Sequence, residues 1–295
     1  MSVADHGSER VPNTGLSASL PEIGGRFAAV RVTPVRFPLQ GMLPSPISGA
    51  EAAMVRLLRR LLRPLLVERC GYGFHRTYSH DAEDRLATAF FAKQRGTGFR
   101  GVYVDVGANH PVLSSNTYLL WRQGWRGVLV EPDPLSAQAL RRVRRGDIVM
   151  ETALAGAVGC REFLSYAIGE YSGFADVKTQ PQRERVEAIT GPPRSLRVAT
   201  ETLACACQRA SDAFGGVDFL SIDCEGAEEE ILGSNEWSRF RPLLIAVESL
   251  AVLPHDALHS TLDTLLGRAG YQLVAKTFLT SLYAPIEVGV PEAAQ

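Results

Sequence analysis

The sequence predicts an α/β chain: a mostly parallel sheet with helices on both faces and an antiparallel hairpin at its end. Three observations carry this. Apolar runs at 102–106, 127–131, 147–153, 217–222 and 242–248 alternate with helical stretches, the mark of repeated βα units. Residues 101–134, GVYVDVGANHPVLSSNTYLLWRQGWRGVLVEPDP, read in order as strand, glycine turn, helix, strand and acid. The last two runs, 271–277 and 280–286, are joined by a tight turn and close the chain as a hairpin.

The elements follow in order. Residues 1–49 are rich in Pro, Gly, Ser and Ala and predict a loosely ordered lead-in. Residues 50–77 form a basic helical segment. Leucines 57, 58, 61, 62, 65 and 66 recur there at helical spacing with arginines between them, and Pro64 interrupts the pattern. Such a helix either lies on an anionic membrane or packs its leucine face on protein, and protein is the favoured partner. The main folded domain is expected over 78–288, with 289–295 as a tail. It begins with a helix over 78–95, for which Ser79 and the acids after it resemble a cap. Helices are then expected at about 114–124, 134–145, 226–233 and 255–269. Residues 156–200, with Gly169, Gly173, Gly191, Pro192 and Pro193, read as a long irregular connection.

Composition narrows the function. The 295 residues are 45% hydrophobic and 21% charged, ordinary for a globular protein, and the net charge of −1 gives no field for nucleic acid. Five cysteines without a CxxC pair read as reduced thiols. A cytoplasmic protein is expected, since no run approaches a membrane span and no signal peptide is recognisable; peripheral membrane contact through 50–69 and a homodimer are the partner options.

Two acids point to the ligand. Asp105 lies on the first strand, and Glu131 ends the second, 26 residues later. That is near the ~20 expected for a carboxylate that accepts both ribose hydroxyls. The turn between them has one glycine, Gly107, where a dinucleotide fingerprint needs three to bring backbone against a pyrophosphate. A nucleoside without phosphates fits better, and S-adenosylmethionine is the commonest such cofactor on this architecture. The missing glycines also count against a nicotinamide oxidoreductase. A non-catalytic binding protein of the same architecture is the other rival.

The second motif is VDFLSIDCEGAEEEIL, 217–232, which releases Asp223 and Glu225 into a loop after a strand. Asp105, Glu131, Asp223 and Glu248 thus all sit at strand carboxyl ends, where open α/β sheets bind ligands. The bland alternative is that Asp223 and Glu225 cap the next helix.

With these motifs in place the chain resembles the FkbM-type methyltransferases. The matching segments are YSHDAED (78–84), YVDVGANHP (103–111), SNTYLL (115–120), GWRGVLVEPDP (124–134), SIDCEGAEEEIL (221–232) and IAVES (245–249). The resemblance implies a Rossmann-like methyltransferase fold that uses S-adenosylmethionine to methylate hydroxyls, often on sugars or polyketides. By it, Asp105, Gly107 and Asn109 would line the methionine and ribose part of the cofactor. Glu131 would hold the ribose hydroxyls, Asp133 would cover the adenine edge, and Ala153 would flank the adenine. Ser115, Asn116 and Thr117 would open the helix facing the cofactor, and Asp223 and Glu225 would stand nearest the sulfonium and the acceptor.

The chemistry explains the acids. An acceptor hydroxyl must be aligned and must lose its proton, so a base helps. Asp223, Glu225, His110 and His255 are the candidates. Mg²⁺ held by Asp223 and Glu248 is the alternative, but two carboxylates make an incomplete ligand set and a metal-free reaction is favoured. The acceptor expected is a small molecule or glycolipid. Tyr171 and Phe174 are candidates for a sugar-stacking lid. Trp121 and Trp125 read as core.

Overall fold

The computed structural model describes residues 77–249 and 257–288. They fall within Gly73–Gln295, one of two units into which the chain divides. The 1–49 lead-in, the 50–69 helix, Cys70 and His255 lie outside the described residues.

The elements are α1 (Glu83–Arg95), β1 (Val102–Val106), α2 (Tyr118–Arg122), β2 (Arg126–Val130), α3 (Pro134–Val143), β3 (Ile148–Met150), β4 (Ala153–Leu154), β5 (Gly159–Ser165), β6 (Gly173–Phe174), α4 (Gln180–Thr190), β7 (Arg194–Glu201), α5 (Leu203–Phe214), β8 (Phe219–Ile222), α6 (Glu228–Gly233), β9 (Leu244–Glu248), α7 (Thr261–Arg268), β10 (Tyr271–Lys276) and β11 (Thr280–Pro285). The main sheet runs β10-β11-β9-β8-β1-β2-β3. β3, β2, β1, β8 and β9 are parallel, and β11 is antiparallel to both β9 and β10. This is the expected Rossmann-like sheet with its terminal hairpin. The strand order reverses between β1 and β8, the switch point that opens a ligand crevice at strand carboxyl ends.

The period-2 alternation of strands decides what each face buries. Val104, Val106, Val128 and Val130 pack with Leu203, Ala206, Ala210, Ile231 and Leu266 from α5, α6 and α7. Tyr103, Leu129 and Phe219 point the other way, into Ala87, Phe91, Leu120, Trp125 and Leu140. Trp125 is core, as expected: it is fully buried, meets Phe91 edge-on, and donates its indole N–H to the Phe99 carbonyl at 3.1 Å. Asp105 shares the Tyr103 face of β1, which proves decisive for its role.

The long irregular connection is a correction. Residues 153–201 build a second, four-stranded sheet in the order β4-β7-β5-β6, with α4 inserted before β7. Its two long strands bury only their last few residues, so they lack the apolar runs that betray the main sheet. The 147–153 run likewise divides: β3 joins the main sheet and β4 the second. The sequence reading assigns no helix to 201–216, where α5 lies. Its small apolar residues Leu203, Ala206, Cys207 and Ala210 face inward at helical spacing, with Thr202 capping the start by accepting from the Cys205 N–H. Helix α1 is shorter than expected. Ser79 does meet its first turn, accepting the Asp84 N–H at 3.2 Å from five residues away.

Candidate active site

A cavity of about 400 Å³ opens at the carboxyl ends of β1, β2, β8 and β9. Of the residues expected to form a site, it gathers Gly107, Asn109, Asn116, Glu131, Ala153, Asp223, Glu225 and Glu248. The sheet order sets their sequence along the rim: Glu131 on the β2 end, Gly107 after β1, Asp223 after β8, Glu248 at the end of β9. β2 and β8 flank β1, so Glu131 and Asp223 leave the sheet about 10 Å apart, two strand spacings.

The Glu131 end is held by backbone. Gly107 has φ +80°, and a Cβ there would lie 1.9 Å from the Asp223 carbonyl oxygen, so no side chain fits. The glycine therefore serves a close approach of two strand ends as well as a turn. Gly107 and Ala108 both donate their N–H to the Val130 carbonyl. Asn109, left-handed at φ +44°, donates its N–H to Glu131 Oε2 at 2.8 Å, and Asp133 donates its N–H to Oε1 at 2.8 Å. Each oxygen is thereby fixed while keeping a second lone pair. Burial pushes the Glu131 carboxyl up to about 7, against the pull of those two N–H bonds. Ala153, Leu154 and Phe163 supply an apolar wall in the same cavity. A rigid carboxylate beside an apolar wall suits a ribose and its purine.

The other end is a carboxyl cluster. Oxygens of Asp223, Glu225 and Glu248 come within 4.8 Å of one another. Asp223 is exposed to solvent through the cavity, while Glu225 and Glu248 beside it are partly buried. Burial first, and then mutual repulsion, raise the Asp223 and Glu248 carboxyls well above the usual range. The two carboxyls therefore titrate as a pair and hold a proton between them into the neutral range. Glu225 is also raised by burial, while Lys178, 3.1 Å away, works to keep it charged. Burial and the surrounding carboxylates hold the adjacent Cys224 as a thiol.

Asp105, Asp133, His110, Ser115 and Thr117, all expected at the site, do not line the cavity. Asp105 is only 5% exposed, because its position on β1 sends it beneath the start of α2, where it accepts the Thr117 hydroxyl at 2.5 Å. Asp133 caps α3, accepting from the N–H groups of Leu135 and Ser136, and also binds Ser165 and Arg194. Burial would raise its pKa, but these bonds outweigh it and hold the carboxyl below the usual range. Its contribution to the site is the backbone N–H on Glu131. His110 spends its Nδ1 accepting the N–H groups of Val112 and Leu113 inside the loop.

Asn116 reaches Ser221 on β8 at 3.2 Å, and Ser115 accepts the Tyr118 N–H. Of the lid pair, both line the cavity, but Phe174 is buried in β6 against Phe163 and beneath the Arg161 guanidinium. Tyr171 remains partly exposed, in a single 3₁₀ turn, Gly169–Tyr171.

Several residues emerge only in three dimensions. Glu228 accepts the N–H groups of Cys224 and Gly226, so it is the residue that caps the 223–227 loop, leaving Asp223 and Glu225 free of that task. Lys178 reaches Glu225 past Gly173, where a Cβ would press within 3.0 Å of the lysine stem. Glu170, in the 3₁₀ turn, accepts the Ser114 hydroxyl at 2.5 Å and meets His80 at 3.2 Å, tying the second sheet to two loops of the rim. Lys178 and Glu170 lie in the segment read as irregular and meet residues dozens of positions away, whereas Glu228, three residues beyond Glu225, was a usable signal.

The comparisons with known proteins agree with this construction. The methyltransferase FkbM domain family matches residues 105–273, more than half of the chain. No curated protein sequence matches. Among solved structures, a methyltransferase from Geobacter sulfurreducens is 15% identical, with a TM-score of 0.36 over 83% of this chain and 100% of its own. An O-methyltransferase from Bacillus cereus in complex with SAH is 11% identical, with a TM-score of 0.36 over 79% and 96%. A 1,6-didemethyltoxoflavin-N1-methyltransferase from Burkholderia thailandensis, holding S-adenosylhomocysteine, is 12% identical, with a TM-score of 0.32 over 82% and 91%. Likenesses this distant add nothing to the family match, which runs from Asp105 past Glu131 and the 217–232 motif: the chain belongs to the FkbM methyltransferase family and is an S-adenosylmethionine-dependent methyltransferase.

Proposed function

We propose that the chain methylates a hydroxyl oxygen of a sugar, glycolipid or glycosylated natural product, without a metal, using Asp223 as the base. The observation that carries this reading is the Asp223–Glu248 pair, two carboxyls drawn within 4.8 Å of each other on the rim beside the Gly107 turn.

S-adenosylmethionine, when bound, supplies a methyl group on a cationic sulfur and so needs no activation. The chain's tasks are alignment and proton removal. Glu131, clamped by two backbone N–H groups, accepts the ribose hydroxyls. Ala153, Leu154 and Phe163 exclude water from the purine. Asp223 takes the hydroxyl proton of the acceptor onto a carboxylate oxygen. Its raised pKa makes it a stronger base than an ordinary aspartate, and one matched to neutral pH. Glu248 retains the shared proton and hydrogen-bonds Asp223, holding it in place. Glu225 stays paired with Lys178, which leaves Asp223 the freer base. A sugar suits the cavity because hydroxyls can donate to the cluster of carboxyls.

The test is incubation of the chain with methyl-labelled S-adenosylmethionine and a panel of glycosides and glycolipids, read by mass spectrometry. Label on a hydroxyl oxygen is the expected result. Label confined to nitrogen or carbon acceptors would overturn the hydroxyl reading.

A further inference from the structure

Arg144 is the second-largest side chain among those fully buried, and nothing above gives it a task. It lies just past α3, and its guanidinium reaches into the other side of the cofactor loop. Nη2 donates to Thr117 Oγ1 at 2.8 Å and to the Tyr103 hydroxyl at 2.9 Å. Nε donates to Asp147 at 3.2 Å, and Nη1 makes long contacts of 3.4 Å to Ser115 Oγ and the Pro111 carbonyl. Tyr103, Tyr118 and Trp121 place their rings around it. A hydroxyl that accepts from a guanidinium must turn its own proton elsewhere, and Thr117 turns it to Asp105 at 2.5 Å.

We infer that Arg144 is a positioning residue for the cofactor loop, acting through Thr117 and the buried Asp105 behind it to hold the segment whose Ser114 and Asn116 line the cavity. The inference rests on the cofactor reading of the cavity. Burial raises the Asp105 carboxyl, while Thr117, Arg144 and Ser221 pull it down. The charged groups that face this network are Asp105, Asp147, Glu131, Asp223 and Arg126, with the Tyr103 phenol. Removing the guanidinium therefore lets Asp105 take up a proton at a higher pH than before.

The test is calorimetric titration of S-adenosylhomocysteine into the full chain, wild type, Arg144→Met and Thr117→Val, from about pH 6 to about pH 9. Each variant is read as a ratio to wild type at the same pH, so that Glu131's own titration cancels. Arg144→Met should bind at least about tenfold more weakly at neutral pH, and the ratio should recover as the pH rises. Thr117→Val should follow in the same direction with a smaller loss, and it decides the matter if Arg144→Met does not fold. A ratio near one, or a loss that does not change with pH, would overturn the inference. A wild-type chain that ignores S-adenosylhomocysteine would instead overturn the cofactor reading beneath it.

Discussion

The two ends of the cavity are built by opposite means. At the Glu131 end, backbone N–H groups fix both carboxylate oxygens, and the group is 5% exposed. At the Asp223 end, among the described residues, the carboxyls of Asp223 and Glu248 are met by each other rather than by backbone donors. A clamped acid suits a ligand that must always sit the same way. A pair held apart from donors keeps its basicity, since each donor bond would lower its pKa. The difference teaches that similar acids on one sheet rim are sorted by what the backbone does to them.

The largest expected effect breaks the comparison outright. Gly107→Ala would thrust a methyl into the Asp223 carbonyl at a left-handed φ, displacing the strand end that carries Asp223 and the turn that carries Asn109. Loss of both cofactor binding and turnover, with a clear drop in thermal midpoint, is expected in calorimetry and a methylation assay. Next, Asp223→Asn should lower kcat by about a hundredfold or more while cofactor affinity stays near wild type. If both parameters fell together, the division of labour between the ends would be wrong.

The pH dependence sharpens the same contrast. Turnover should rise with pH through the neutral range as Asp223 becomes free to accept a proton, then level off. Stability should run the other way. Glu131 titrates near 7 in the fold, against about 4.5 unfolded. The folded state thus binds more protons between those values, and stability falls as pH rises through them. Glu131→Gln should flatten part of that fall in a series of thermal melts. The smallest effect expected is that of a chelator: EDTA should leave the rate unchanged, and a loss restored by Mg²⁺ would hand the Asp223–Glu248 pair to a metal.

Much of this was legible before folding. The runs at 102–106, 127–131, 217–222 and 242–248 announce strands because both faces are covered, and their terminal acids mark the rim. The 159–165 and 194–201 strands gave no such signal, because most of their length faces solvent. Asp105 illustrates a different gap. Its place on a strand was plain, but period-2 alternation offers two faces, and only the packing of Tyr103 chose one. Nothing in the sequence singles out Arg144 or Lys178, since Tyr103, Thr117 and Glu225 lie dozens of positions away from them.

The central claim is that Glu131 clamps the cofactor while Asp223 serves the acceptor. Titration calorimetry of S-adenosylhomocysteine into wild type, Glu131→Gln and Asp223→Asn tests it most directly. The account predicts binding by wild type, a loss of about tenfold or more in Glu131→Gln, and a change of no more than about threefold in Asp223→Asn. Wild-type affinity in Glu131→Gln would contradict it.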